Sequence, residues 1–578
     1  YKNNNQLFIS SELNAISHSL PGLSQNKEAI ASFLRAGFFA KASTPYNFVE
    51  EVDPGHLYEI NLSSLNVKKY KYFDIADQYA NPIKIDHNQA LDKLDLILHK
   101  SIKDRLLTSD LDVGAFLSSG IDSSLIVAIA SEYRKDIKTF TVKFKGSYDE
   151  SVIALKTSKQ FSTNHHELEV SIDLKNDVEK ILNSYGEPFM DSSAIPSFYI
   201  SQEAKKHVTV ILNGDGADEL FAGYRRYVPA AHNWLKYAKY LSILSSFLPR
   251  PNSKMSNYNY LYRLISMASK DNLDLYLSST NDIFEDFYRF GVGNIDTDIQ
   301  ETINHISNQN LTTLSKSLIL DSKLLLPSDL LKKMDIATMS NSLEGRSPFL
   351  SKYILEWAPK LSDTEKIKGL QTKYILRQLA KKYSFEKLHK MPKRGFEAPL
   401  KVWVENDLKE NIYDRLGSQN SYSSMFINQK VINKLLQNNT NISREKRAKI
   451  LWTLYTLEVW NSSQFGKNHN IIRHLEIVKK NNELKPNKKI NLLFLTTGLG
   501  LGGAERVVLD ICRNINKDKF EVSVIGISSQ NDLLQKFYSN KIHVDVLNYK
   551  KTVAKFFNSL IQIIKHINNH QIKIIHAH

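Results

Sequence analysis

Leu117-Ser118-Ser119-Gly120-Ile121-Asp122-Ser123-Ser124 lies between an apolar run at residues 113–117 and a helix-patterned segment at 123–133. A buried strand, a turn of small residues and a helix, in that order, make one unit of a parallel α/β sheet. Small side chains let backbone N–H groups come close to phosphate oxygens, and the following helix N-terminus adds partial positive charge. The serine hydroxyls supply further donors. Asp122 would repel phosphate unless a cation lay between them, so its presence predicts Mg²⁺, which takes one or two carboxylates plus phosphate oxygens. A ligand-free helix cap rich in Ser and Asp accounts for the same residues. Taken alone, the loop leaves both open.

Moving outward, residues 139–144 and 207–212 read as further strands, and residues 230–460 as mainly helical. The second of these strands runs into Asn213-Gly214-Asp215-Gly216-Ala217-Asp218-Glu219-Leu220-Phe221-Ala222-Gly223-Tyr224. Asp215, Asp218 and Glu219 put three carboxylates within five residues, between glycines. A solvated turn would look the same. Beside a phosphate loop at the carboxyl ends of parallel strands, the cluster suits a metal and acid/base site.

These motifs carry a resemblance. The first loop resembles the SGGxDS pyrophosphate loop of the N-type ATP pyrophosphatases. The second resembles the SGEGxDE…GGY segment of asparagine synthetases. Between them, Glu187-Pro188-Phe189-Met190-Asp191-Ser192-Ser193-Ala194-Ile195-Pro196 is similar to that family's EPxxDxSxxP. Further on, Asp335-Ile336-Ala337-Thr338-Met339 with Glu344-Gly345-Arg346-Ser347-Pro348-Phe349-Leu350 resembles DRxSM…ExRxPFLD, Lys373 to Arg377 resembles KxxLR, and Lys393-Arg394-Gly395-Phe396 resembles KxGF. The sequence departs from the pattern in several places. Ser119 stands for a glycine, Asn213 for Ser, Asp215 for Glu, Ser351 for Asp, and Met391 for Arg. The Asp215 change shortens an acid by one methylene and bears most on substrate.

The resemblance implies an α/β fold. A parallel-sheet ATP-pyrophosphatase domain, like the adenine nucleotide alpha hydrolases, would span residues 85–464 with a helical C-terminal part. A β-rich amidotransferase remnant (1–75) would precede it, and a linker (465–489) and a partial Rossmann-like domain (490–578) would follow. It also implies ATP-dependent conversion of aspartate to asparagine through β-aspartyl-AMP, with AMP and pyrophosphate released and ammonia or glutamine as nitrogen donor. Asp122 and Asp218 are then the Mg²⁺ ligands. Ser118, Ser119, Gly120 and Ser123 cradle pyrophosphate, while Leu117, Val142, Asn213 and Gly214 hold the adenosine part. Asp215 is the acid/base group, and Lys393 stabilises charge on the phosphate and the tetrahedral intermediate. An exposed lysine in the basic tract with Lys387, Lys390 and Arg394 is the plain alternative for Lys393. Glu344 and Arg346 fit either a structural ion pair or substrate contact. His165 and His166 resemble the family's HHE stretch and read as structural.

The two ends carry weaker patterns. Ile9 to Ala15 and Pro54-Gly55-His56 resemble the tail of a glutamine amidotransferase domain, whose nucleophile is an N-terminal cysteine. The first residue here is Tyr1, which suggests a truncated start and predicts that the chain as given uses ammonia. Gly498 to Arg506, with Ile575 to His578, resembles the N-terminal half of a GT-B glycosyltransferase. That tail motivates a second class of function, amidation of a sugar carboxylate or another acid during surface-polysaccharide assembly. A non-catalytic adaptor is a third, disfavoured by the retained Asp122, Asp218 and Lys393.

Composition limits the rest. One cysteine, Cys512, excludes an internal disulfide framework, and no apolar run is long enough to span a bilayer, so a cytoplasmic location and no transmembrane segment are expected. Cys512 falls on the apolar face of a helix and reads as core. The net charge of +15 is scattered over Lys and Arg along 578 residues, which predicts no nucleic-acid stripe and suits phosphate-rich substrates. A homodimer is compatible with the sequence.

Overall fold

The structure is a computed structural model. It describes the whole chain except residues 3–6, 21, 41, 62–63, 110, 144–150, 170–172, 235–237, 239–256, 294, 385–397, 466–488, 497, 501–502, 529–531, 548–552, 571, 573 and 578. Two compact units are present, one of Ser24–Ser463 and one of Tyr1–Leu23 with Gln464–His578. Among the described residues no helix is long and apolar enough to cross a membrane. The expected linker at 465–489 and the expected catalytic Lys393 lie almost wholly or wholly outside the described residues.

The N-terminal 75 residues differ from the β-rich expectation. Among the described residues their strands are one antiparallel hairpin, β1 (His56–Ile60) with β2 (Val67–Lys71), while Leu13–Ser19 and Lys27–Ala36 are helices. The second helix was legible: Asn26 caps it by accepting from Ala29 N–H, and Ala29, Ile30, Phe33 and Leu34 recur at helical spacing and are buried. Gly37 ends it at φ 95°, a left-handed conformation that favours glycine. Leu7-Phe8-Ile9 forms no strand, only a bridge between Leu7 and Lys2.

The larger unit is built on β3 (Val113–Phe116), β4 (Lys138–Lys143), β5 (Asn164–Glu169), β6 (Val210–Leu212) and β7 (Glu344–Arg346). They form one parallel sheet in the order β5-β4-β3-β6-β7. Val113, Ala115 and all of β6 are buried, as expected for strands covered on both faces. Helices His87–Leu107 and Ile121–Tyr133 share with them a core that includes Leu94, Leu98, Leu125 and Val127. From β3 the chain winds outward through β4 and β5, then returns to place β6 on the other side of β3. β3 and β6 are therefore the neighbours at which the winding direction reverses. Ligands of open α/β sheets bind beyond the carboxyl ends of the strands at such a point.

In the second unit, β8 (Ile490–Thr496), β9 (Phe520–Gly526), β10 (His543–Val546) and β11 (Ile574–Ala577) make a parallel sheet in the order β10-β9-β8-β11. Cys512 is 1% exposed in its core, as its place on the apolar helix face predicts, and burial pushes the thiol up to about 12.

Candidate active site

The two sequence clusters emerge from adjacent strands. Ala115 pairs with Leu212, so the loops after β3 and β6 leave the sheet level with one another. Gly214 lets them touch, since a Cβ there would lie 3.2 Å from the Asp122 Cβ. The first loop is laced by its own serines. Ser123 Oγ accepts from Ser118 N–H at 3.1 Å, Ser118 Oγ accepts from Gly120 N–H at 3.1 Å, and Ser124 Oγ–H donates to the Gly120 carbonyl at 2.8 Å. Leu117 N–H donates to the Phe140 carbonyl at 2.8 Å, and Thr141 Oγ–H to the Leu117 carbonyl, which tie the loop base to β4. Leu117, Val142 and Asn213 are buried around it.

Asp122 and Asp218 meet at a third group. Lys373 Nζ donates to Asp122 Oδ2 at 2.5 Å and lies 2.7 Å from Asp218 Oδ1. Its side chain is 5% exposed, against 19% and 18% for the two acids. Burial works against the ammonium, but the paired charges of Asp122 and Asp218 win and hold its pKa above the ordinary lysine value. Lys373 adopts φ 52° immediately before the helix Tyr374–Lys382. A left-handed non-glycine residue at such a junction is uncommon, and here it aims the side chain at the acids. In the sequence, Lys373 belongs to a motif that assigns it no role. Its KxxLR spacing was the available signal.

Gly223 makes room for this cluster. A Cβ at that position would overlap Asp218 Oδ1 and Lys373 Cε. Gly223→Ala should therefore displace the pair and lower ATP–pyrophosphate exchange at least about 100-fold, as a misplacement of roughly 1 Å does at a preorganised site. Steady exchange assays on the folded variant check this, and unchanged exchange would show that the pair is not part of the chemistry.

The expected Mg²⁺ can be judged on the donor set. Two carboxylates on neighbouring loops converge on a single cation, at present an ammonium, beside a helix N-terminus of a 13-residue helix. That set fits Mg²⁺ completed by phosphate oxygens. Asp215 lies in the same loop, where its N–H donates to Asn213 Oδ1 at 3.4 Å, and its charge helps raise the pKa of buried Lys333.

The segment 187–196 forms a partly buried ionic wall, with Glu187 at its buried end. Glu187 pairs with Lys332 at 2.9 Å, Lys332 with Glu51 at 3.0 Å, and Lys333 with Asp191 at 2.9 Å. Trp452 and Trp460 on the helix Arg444–Phe465 donate to the Met190 and Gly186 carbonyls, which fixes the wall from behind. Burial, only partly offset by Lys332, pushes Glu187 up to about 7. Its folded pKa thus lies above the unfolded value of 4.5. The stability this contributes is fully present below pH 4.5 and is lost as pH rises through about 7. Glu187→Gln should flatten that slope, worth on the order of 2–3 kcal/mol across the window. Urea unfolding of both proteins between pH 5 and 8 measures it, and parallel profiles would contradict the assignment.

Glu344 and Arg346 form an ion pair at 2.8 Å, and Arg346 also donates to the Arg105 carbonyl at the end of the helix His87–Leu107. That arrangement supplies the ion pair of the two expected readings and ties β7 to that helix. His165 bonds Thr139, and the His166 ring packs on Phe140 and His207, so the pair is engaged in packing along β5.

The family profile for asparagine synthase matches residues 93–462. The chain is 28% identical over 474 residues to asparagine synthetase [glutamine-hydrolyzing] 1 of Bacillus subtilis, covering 81% of this chain and 73% of that protein. It is 27% identical over 434 residues to a putative asparagine synthetase [glutamine-hydrolyzing] of Mycobacterium tuberculosis, covering 74% and 66%. It is 23% identical over 447 residues to amidase chyE of Penicillium rubens, covering 67% and 64%.

Proposed function

Because the chain belongs to the asparagine synthase family, we propose that it is a ligase that activates a carboxylate with ATP and converts it to an amide. The observation that carries this is the Asp122–Lys373–Asp218 cluster beside the serine loop, at the sheet's switch point. In the first step a carboxylate oxygen attacks the α-phosphorus and pyrophosphate leaves. In the second, ammonia attacks the acyl carbonyl and AMP leaves.

Residues of the chain act on both steps. Ser118, Ser119, Gly120 and Ser123 hold the pyrophosphate end by turning hydroxyls and N–H groups from each other to the phosphate oxygens. Leu117, Val142, Asn213 and Gly214 hold the adenosine part. Lys373 offsets charge between Asp122 and Asp218 until substrate arrives, and then faces the leaving group. Asp122 and Asp218 would hold Mg²⁺, which when bound neutralises charge on the leaving pyrophosphate. Asp215 takes the proton released as ammonia becomes the amide nitrogen. Lys393 is assigned to charge on the phosphate and on the tetrahedral intermediate.

Aspartate is the proposed acid, giving asparagine through β-aspartyl-AMP. A sugar carboxylate or another acid is the second reading. Asp215, one methylene shorter than the family's glutamate, favours it. ATP–pyrophosphate exchange across a panel of acids, aspartate first, separates the two. The nucleotide products should be AMP and pyrophosphate, and recovery of ADP and phosphate would end both.

A further inference from the structure

The second unit gathers histidines that the amide chemistry does not use. His543 and Asp545 alternate on β10, so their side chains share one face of that edge strand. His566 lies on the helix Val553–Asn569, and His570 follows one residue past its end. His570 N–H still donates to the His566 carbonyl at 3.0 Å, so the two rings lie one turn apart, tilted by 30°, with centroids 4.3 Å apart. The His543 ring lies 5.6 Å from that of His566 and 5.2 Å from that of His570. One nitrogen from each of the three rings falls within 4.8 Å of the others.

We propose that His543, His566 and His570 form a binding site for a borderline transition dication such as Zn²⁺, which would fasten the last long helix to the edge of the sheet. Imidazole nitrogens suit Zn²⁺, Co²⁺, Ni²⁺ and Cu²⁺, and not Mg²⁺ or Ca²⁺. His566 is the most constrained of the three rings, bonded through both nitrogens. His566 is 7% exposed, and its Nδ1–H donates to Asp545 Oδ2 at 2.8 Å, which leaves Nε2 as the lone-pair nitrogen. A carboxylate behind a ligating imidazole is the usual supporting arrangement of such centres. Nε2 now accepts from the Ser523 hydroxyl at 3.0 Å, a donor that can turn away. His543 and His570 are exposed and can swing inward. A tetrahedral centre with bonds of about 2.0–2.1 Å needs its nitrogens roughly 3.3–3.4 Å apart, so the required contraction is about an ångström and a half. The fourth position is left to water.

The test uses the full chain purified without a polyhistidine tag, titrated with Co²⁺ and then Zn²⁺ in excess Mg²⁺. One Co²⁺ per chain should bind with the visible absorption of a four-coordinate ion, and Zn²⁺ should displace it. His543→Gln and His570→Gln sit on exposed positions that leave the core intact, and each should weaken Co²⁺ binding at least about tenfold. Asp545→Asn should weaken it by about 10–100-fold without abolishing it. His166→Gln, in the other histidine cluster, should bind as the wild type does. Wild-type affinity in the His543→Gln/His570→Gln double variant, or a loss confined to His166→Gln, would overturn the site.

Discussion

Asp122→Asn and Asp218→Asn should each reduce ATP–pyrophosphate exchange at least about a thousandfold while the protein stays folded. Each change removes one of two carboxylates that converge on a single cation. Charge stabilisation of a leaving pyrophosphate is worth several kcal/mol, and about 4 kcal/mol is three powers of ten. The fold should survive because Lys373 keeps the remaining acid as its partner. The helix Ile121–Tyr133 owes its place to buried Leu125, Ile126 and Val127 and not to the Asp122 charge. Exchange kinetics with circular dichroism on each variant check both halves. Near-normal exchange in a folded Asp218→Asn protein would remove Asp218 from the chemistry.

Lys373→Met should have the larger effect on stability. It leaves two carboxylates close together, each less than a fifth exposed, with their shared cation gone. Breaking a buried ion pair by deleting one partner typically costs about 3–5 kcal/mol. The loss should be greatest near pH 8 and shrink as pH falls, because protonating one acid relieves the repulsion. Added Mg²⁺ should recover part of the lost stability, and more of it than in the wild type, by standing where the ammonium stood. Urea unfolding with and without Mg²⁺ at two pH values measures this. An unaltered midpoint in urea would mean that the pair contributes nothing net, and normal exchange would mean that Lys373 only fills space.

Much of this site was legible in the sequence because its signals are local. A strand, a run of small residues and a helix state the phosphate loop within about a dozen positions. The three carboxylates around Asp218 announce themselves in the same way. Lys373 was harder to place, since its meaning comes from two loops far away in the chain and from a backbone angle that no composition predicts. The ionic wall of Glu187, Lys332, Lys333 and Asp191 was likewise invisible, because ion pairs between distant segments leave no periodicity. The N-terminal segment misled for another reason. Short apolar runs suit strands and helices alike, and the Asn26 cap was the deciding mark. The His566-x-x-x-His570 spacing was visible as one helical turn, but only the fold supplies His543 and Asp545 to complete it.

The bond between Lys373 and Asp122 joins residues 251 positions apart. β7, which completes the sheet, comes from residues 344–346, also late in the chain. Contacts of such long sequence separation are made after shorter-range ones, because the entropy of closing the loop must be met first. The Asp122–Lys373–Asp218 cluster is therefore among the last features to assemble as the protein folds. A chain emerging from the ribosome can build β3 to β6 and both loops, yet it holds no shared cation between the acids until the lysine some 150 residues beyond Asp218 has been synthesised and docked.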